Sequence, residues 1–105
     1  MWETIKTQWN DIVTVLSLMD SRTDISNFLK DLMTVKELQE FTNRFEVAQM
    51  LEERKTYIQI EKQTWMSSTT IARVSKFLSG NNFGYKKALQ ILKSITDKHH
   101  TGHRS

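Results

Sequence analysis

Residues 67–70 are Ser67, Ser68, Thr69 and Thr70, four hydroxyl side chains in a row, placed just before the apolar spacing Ile71, Val74, Leu78. Inside a helix such hydroxyls compete for the backbone, but at a helix start the same oxygen accepts from an orphan N–H and stabilises the end. Short hydroxyls at a helix tip also have a use outside the fold. They bond to phosphate oxygens or to base edges in either groove, and they are small enough for close approach to a duplex. Cations stand on both sides of them: Arg54, Lys55 and Lys62 before, Arg73 and Lys76 after, with Lys86 and Lys87 as further contributors. Hydroxyls flanked by fixed positive charge are suited to recognising a polyanion.

The residues needed for bond making are not grouped in this way. All three histidines, His99, His100 and His103, follow residue 98, so no Ser/His/Asp arrangement is spelled out, and no glycine-rich phosphate loop occurs. With no Cys there is no thiol nucleophile, thiolate metal site or disulfide framework. The chain is therefore not expected to be an enzyme. The histidine cluster has Asp97 as its nearest carboxylate and reads as a solvated tail, not a metal site.

The net charge of +3 conceals an asymmetry. Residues 1–53 carry 5 basic and 10 acidic side chains, and residues 54–105 carry 10 and 2, so the halves stand at −5 and +8. A basic half opposite an acidic one is the footprint of a chain that meets a polyanion at one end, and equally of a basic solvated face. At 105 residues, 38% hydrophobic and 26% charged, one globular domain is expected. Three Gly and no Pro leave few places to interrupt helices, so the fold class is all-α. No apolar run reaches membrane-spanning length and the start MWETIKTQWNDI is not that of an export signal, which together predict a cytoplasmic protein with no membrane partner.

Six helices can be placed from periodicity and caps. Ile5, Trp9, Ile12, Val13, Leu16 and Met19 form one long apolar stripe that needs cover. A second helix starts between Ser21 and Asp24 and turns Ile25, Phe28, Leu29 and Leu32 inward. A third opens on the capping box Thr34-x-x-Glu37 and runs through Leu38, Phe41, Phe45, Ala48 and Leu51. After a polar link at 52–55, Thr56-x-x-Gln59 opens a short helix to about Gln63; a break at 65–67 leads to a helix capped by Ser67 or Ser68. Gly80 to Gly84 is a loop, and a last helix runs from Tyr85 to about Lys98 with Ala88, Leu89, Leu92 and Ile95 inward. The domain is thus expected over 1–98, followed by a flexible tail at 99–105.

Two short helices with a tight break, over about 56–78, match a helix-turn-helix. Counting from Tyr57 in the twenty-residue unit, Ile60, Met66, Ile71 and Val74 occupy the clamping positions. Three positions depart from the pattern. Thr64 stands at a place usually apolar, Glu61 where a small residue is usual, and Trp65 where the turn needs positive φ and usually has Gly. A side chain in that left-handed region costs about 1–2 kcal/mol, which predicts a turn of another geometry here. Exposed, Trp65 would be a contact residue; buried, it would fill the crossing with bulk.

The block from Leu32 to Gly80, LMTVKELQEFTNRFEVAQMLEERKTYIQIEKQTWMSSTTIARVSKFLSG, resembles the core of the Trp repressor family, and more closely its Trp repressor-like YerC/YecD branch. The shared segments are RFEVA-x-ML, KTY-x-QI and T-x-I-x-RV, in that order. The resemblance implies six helices in an intertwined homodimer, with Trp9, Ile12, Val13 and Leu16 in a shared core and Trp2 beside them. It also implies two reading helices related by a two-fold axis, hence double-stranded palindromic DNA as the partner and regulation, by repression, as the function. Carried over position by position, the base-reaching residues are Ser68, Thr69 and Thr70, with Ala72 following; Ser67, first of the hydroxyl run, is counted with them as base-reading, and the flanking cations Arg54, Lys55, Lys62, Arg73 and Lys76 are assigned to phosphate. Ile58 and Glu61 fall on helper positions and cannot donate as Arg or Lys would, so a different operator preference is expected.

In tryptophan-binding members a Thr and two Arg hold the corepressor, and Thr34, Arg44 and Arg73 are of matching type. The residue after the second Arg is Gly in those sensors and Val74 here, which would intrude on an indole. The balance is therefore against L-tryptophan or a related small effector. The competing reading, from another class, is a dimeric helical adaptor whose basic end binds an acidic protein and reads no DNA; the acidic first half and the missing turn glycine favour it.

Overall fold

The computed structural model describes residues 1–98. Six helices account for most of them: α1 (Trp2–Leu18), α2 (Arg22–Leu32), α3 (Val35–Glu52), α4 (Tyr57–Thr64), α5 (Ser68–Leu78) and α6 (Gly84–Lys98). There is no strand among the described residues, so the all-α expectation is met. The tail at 99–105, with His99, His100 and His103, lies outside the described residues. The chain divides into two compact units, Met1–Leu38 and the residues from Gln39 onward.

In the first unit the helix starts follow local chemistry. Ser21 accepts from the Asp24 N–H at 3.2 Å and so opens α2, where Asp24 in the first turn and Lys30 in the last both complement the helix dipole. The predicted box before α3 is formed: the Thr34 N–H donates to Glu37 Oε1 at 2.9 Å, and the Glu37 N–H donates to Thr34 Oγ1 at 3.1 Å. No residue of α1 or α2 is fully buried. Along the α1 stripe, Ile12 and Leu16 are half-buried while Ile5, Trp9 and Val13 are exposed. Trp2 and Trp9 meet edge to face at 6.3 Å, the orientation that ring quadrupoles favour. Leu32, expected inward, is exposed: it is the last residue of α2, and no further turn continues the half-buried row Ile25, Phe28, Leu29.

The second unit has a small core. Val47, Ala48 and Met50 of α3, Ile60 of α4, and Ile71 and Val74 of α5 are buried together, and Leu51, Met66, Tyr85 and Leu89 pack against them. A fully buried aliphatic side chain contributes about 1.5–3 kcal/mol, so a handful of residues holds α4 and α5 in place. On α6, Leu89 joins this core, whereas Ile95, expected inward, is exposed three turns from the helix start. The apolar row of α6 outruns the core that α3 and α5 offer it.

α3 ends in a paired-bond stop. The Arg54 N–H donates to the Leu51 carbonyl and the Lys55 N–H to the Met50 carbonyl, both at 3.0 Å, with Arg54 left-handed at φ 64°. Phe83, just before α6, is also left-handed at φ 63°, and its carbonyl accepts from the Lys87 N–H. Neither position has the glycine or asparagine that usually signals such a conformation.

Candidate nucleic-acid interface

The pair α4–α5 is built from its caps inward. Thr56 and Gln59 exchange backbone-to-side-chain bonds at 2.9 and 3.1 Å, which satisfies two orphan donors at the start of α4. Ile60 and Thr64 then point into the core, and Gln63 Nε2 donates to Glu46 Oε2 at 2.9 Å, tying α4 to α3. Glu61 is half-buried and Ile58 is exposed.

Thr64 fits its apolar position because its hydroxyl is fully used. At 2% exposure, Oγ1 donates to the Ile60 carbonyl at 2.8 Å and accepts from the Met66 N–H at 3.2 Å. The second bond reaches around the turn and gives the first amide beyond Trp65 a partner. Trp65 corrects the expectation of an altered turn: it takes φ 61°, ψ 15°, the left-handed region itself, and its N–H donates to the Glu61 carbonyl at 2.9 Å. The core on both sides of the turn outweighs the local preference of one residue. Its indole is 90% exposed, so it does not fill the helix crossing.

Ser67, not Ser68, is the cap of α5. Its oxygen accepts from the Thr70 N–H at 3.2 Å, and its hydroxyl stands 3.2 Å from Thr70 Oγ1 as donor. Ser68 and Thr69 are exposed on the first turn, and Thr70 is half-buried. The four consecutive hydroxyls thus divide into a cap with its partner and two outward side chains. Ile71 and Val74, buried behind them, fix the helix on the core.

Arg54, Lys55, Lys62, Arg73 and Lys76 are all exposed. Arg73 lies over the Phe77 ring at 5.8 Å from its centroid, and Lys86 over Phe83 at 5.5 Å. Cations held against aromatic faces keep their charge outward with less side-chain freedom to lose on binding. The Arg73–Phe77 spacing of four residues was open to sequence reasoning, which assigned Arg73 to phosphate or effector and overlooked its ring. The left-handed turn at Arg54 carried no such signal.

For the effector positions, Thr34 belongs to the first unit and is engaged with Glu37, while Arg44 and Arg73 belong to the second and are exposed. Val74, at 2% exposure, is a core side chain. Within the second unit a cleft of about 580 Å³ runs between the end of α3 and α6, with Glu52 and Glu53 on one wall, Lys86 and Lys93 on the other, and Leu89 and Leu92 between them. None of Thr34, Arg44 and Arg73 lines it. No described helix is long and apolar enough to cross a membrane.

The fold is all-α with two short capped helices joined by a tight turn, and comparison with known proteins is specific. The Trp repressor protein family matches residues 7–93, and the chain belongs to that family. It is 42% identical over 79 residues to the uncharacterized protein YerC of Bacillus subtilis (strain 168), covering 75% of each chain, which places it with the YerC group. Among solved structures, a candidate Trp repressor from Staphylococcus aureus superposes with a TM-score of 0.77 at 28% identity, covering 89% of this chain and 94% of that one. A TrpR-like protein from Eubacterium eligens gives 0.73 at 35% identity, covering 87% and 95%. The family is one of helix-turn-helix regulators that bind DNA, and its fold is not that of an enzyme family.

Proposed function

We propose that this chain is a sequence-specific transcriptional regulator, a repressor by family type, that binds palindromic double-stranded DNA as a homodimer and does so without tryptophan. The observation that carries the reading is the tip of α5: Ser68 and Thr69 exposed on a helix that Ser67 caps and Ile71 and Val74 anchor, in the half of the chain with net charge +8. Ser67, Ser68, Thr69 and Thr70 form the base-reading end, Ser67 and Thr70 mainly by fixing its shape. Arg54, Lys55, Lys62, Arg73 and Lys76 take phosphates. The α1 stripe, with Trp9, Ile12, Val13 and Leu16, is the dimer core, and 1–98 acts as one domain with the helix-turn-helix over 56–78. Two copies present their reading helices about one helical turn of DNA apart.

The reading without tryptophan rests on the sequence, where Val74 stands at the position that is glycine in the tryptophan sensors. Thr34, Arg44 and Arg73 are then a remnant of an effector site. Calorimetry with L-tryptophan should show no saturable micromolar heat.

The decisive experiment is selection from a random duplex pool, with binding of the selected site followed against salt. A palindrome should be enriched, and five cations per protomer predict about 10³–10⁵-fold loss of affinity between 50 and 200 mM salt. A pool with nothing enriched and binding indifferent to salt would point instead to the adaptor.

A further inference from the structure

Trp65 is out of place by each local criterion. Its left-handed backbone, φ 61°, is one that glycine adopts without cost and that a residue with a side chain adopts at about 1–2 kcal/mol. Packing does not offset that cost, because the indole is 90% exposed, the most exposed aromatic ring among the described residues. Its backbone bond to Glu61 would be made equally by glycine. Neither the turn nor the core accounts for a tryptophan here, so the account must lie in what the exposed ring touches outside the chain.

Its position says what that is. Trp65 precedes the α5 cap, Ser67, by two residues and follows exposed Lys62 by three, within a half of the chain at +8. The charge complements a polyanion and excludes most apolar partners that would themselves carry cations. The hydroxyls at 67–70 supply donors and acceptors but little reach and little apolar surface. An indole supplies the reverse: a wide apolar face and a single N–H donor. In the major groove the apolar feature that distinguishes one base pair from another is the thymine 5-methyl group.

We propose that Trp65 is an added specificity residue of the reading head, packing its indole against a thymine methyl at the edge of each half-site. This rests on the DNA-reading function above and adds to it a residue and a base preference. The strain at the turn is retained because a glycine there would leave that edge of the half-site unread.

The test uses the full chain, the W65G variant, the site selected by the wild type, and the same site with deoxyuridine in place of thymidine at one half-site position at a time. W65G should melt at a higher temperature than the wild type, since strain is relieved and no intrachain packing is lost, yet bind the selected site more weakly. Deoxyuridine at the contacted position should weaken wild-type binding by about fourfold, the effect of one buried methyl group, and leave W65G unaffected. Repeating the selection with W65G should return a palindrome with one thymine preference fewer per half-site. If W65G binds the selected site as tightly as the wild type, or loses affinity to each deoxyuridine as the wild type does, the assignment is overturned while DNA reading stands. Should W65G melt lower, a W65N variant, whose side chain also tolerates the left-handed turn, repeats the comparison: loss of the one thymine preference upholds the contact, and a preference kept by both variants rejects it. Failure of the wild type to enrich any site removes the underlying function instead.

Discussion

Replacing Thr64 by Val changes one oxygen to a methyl group at almost constant shape, and helix-turn-helix patterning alone would forecast a gain because this position is usually apolar. The structure reverses the sign. Thr64 Oγ1 donates to the Ile60 carbonyl and accepts from the Met66 N–H, at 2.8 and 3.2 Å, with the side chain 98% removed from solvent. The methyl recovers about 0.8 kcal/mol of burial. Against this, the Met66 amide, partly buried beside the strained turn, loses its acceptor at about 1–2 kcal/mol, a figure that includes the lost bond, and the bond to the Ile60 carbonyl is lost at about 0.5–1 kcal/mol. The Ile60 carbonyl has a second lone pair and helical partners, so its share is smaller. A net loss of about 1–2 kcal/mol follows, which for a chain of this size lowers the melting temperature by roughly 4–16 °C. Circular dichroism of both variants at one protein concentration measures it. Hydrogen exchange localises it: the Met66 amide should exchange about tenfold faster in T64V. A variant as stable as the wild type, with an unchanged Met66 amide, would refute the role given to the hydroxyl.

Arg54→Gly should stabilise the chain by up to about 1 kcal/mol, because glycine takes the left-handed stop after α3 without strain, partly offset by greater freedom when unfolded; thermal unfolding reads this. The same change removes one phosphate contact per protomer and should reduce the salt slope of DNA binding by about 2 for the dimer, measured by titration at several salt concentrations. Thr69→Ala should leave the melting temperature unchanged and alter the selected sequence, whereas Lys62→Ala should weaken all sequences alike; equal, uniform losses in gel shifts would remove the division between base and phosphate contacts.

What could be read in advance was whatever acts within one turn of helix. The boxes Thr34–Glu37 and Thr56–Gln59 and the start of α2 at Ser21 lie three residues apart in sequence and about one turn apart in space, so their bonds are implied by spacing. Spacing alone leaves two serines able to cap α5, and the geometry selects Ser67. The clamping set Ile60, Ile71 and Val74 was also legible, since apolar residues at fixed offsets in a two-helix motif have one face to share. Burial at the ends of apolar rows was not. Leu32 and Ile95 have the periodicity of core residues, but periodicity states only which side of a helix is apolar, not how far the opposing surface extends.

The amino-acid order by itself determined six helices, their caps, the uneven charge and the hydroxyl tip, because each depends on neighbours within about four residues or on simple sums. Tertiary structure decided the joints. Trp65 and Arg54 are left-handed against their own preferences, and Thr64 is buried with its hydroxyl turned to use, because Val47, Ile60 and Ile71, far apart in sequence, bury one another only when the chain bends at those residues. Side chains distant along the chain thus jointly impose a backbone angle that no local segment would choose, and in doing so they leave an indole standing in solvent beside the start of α5.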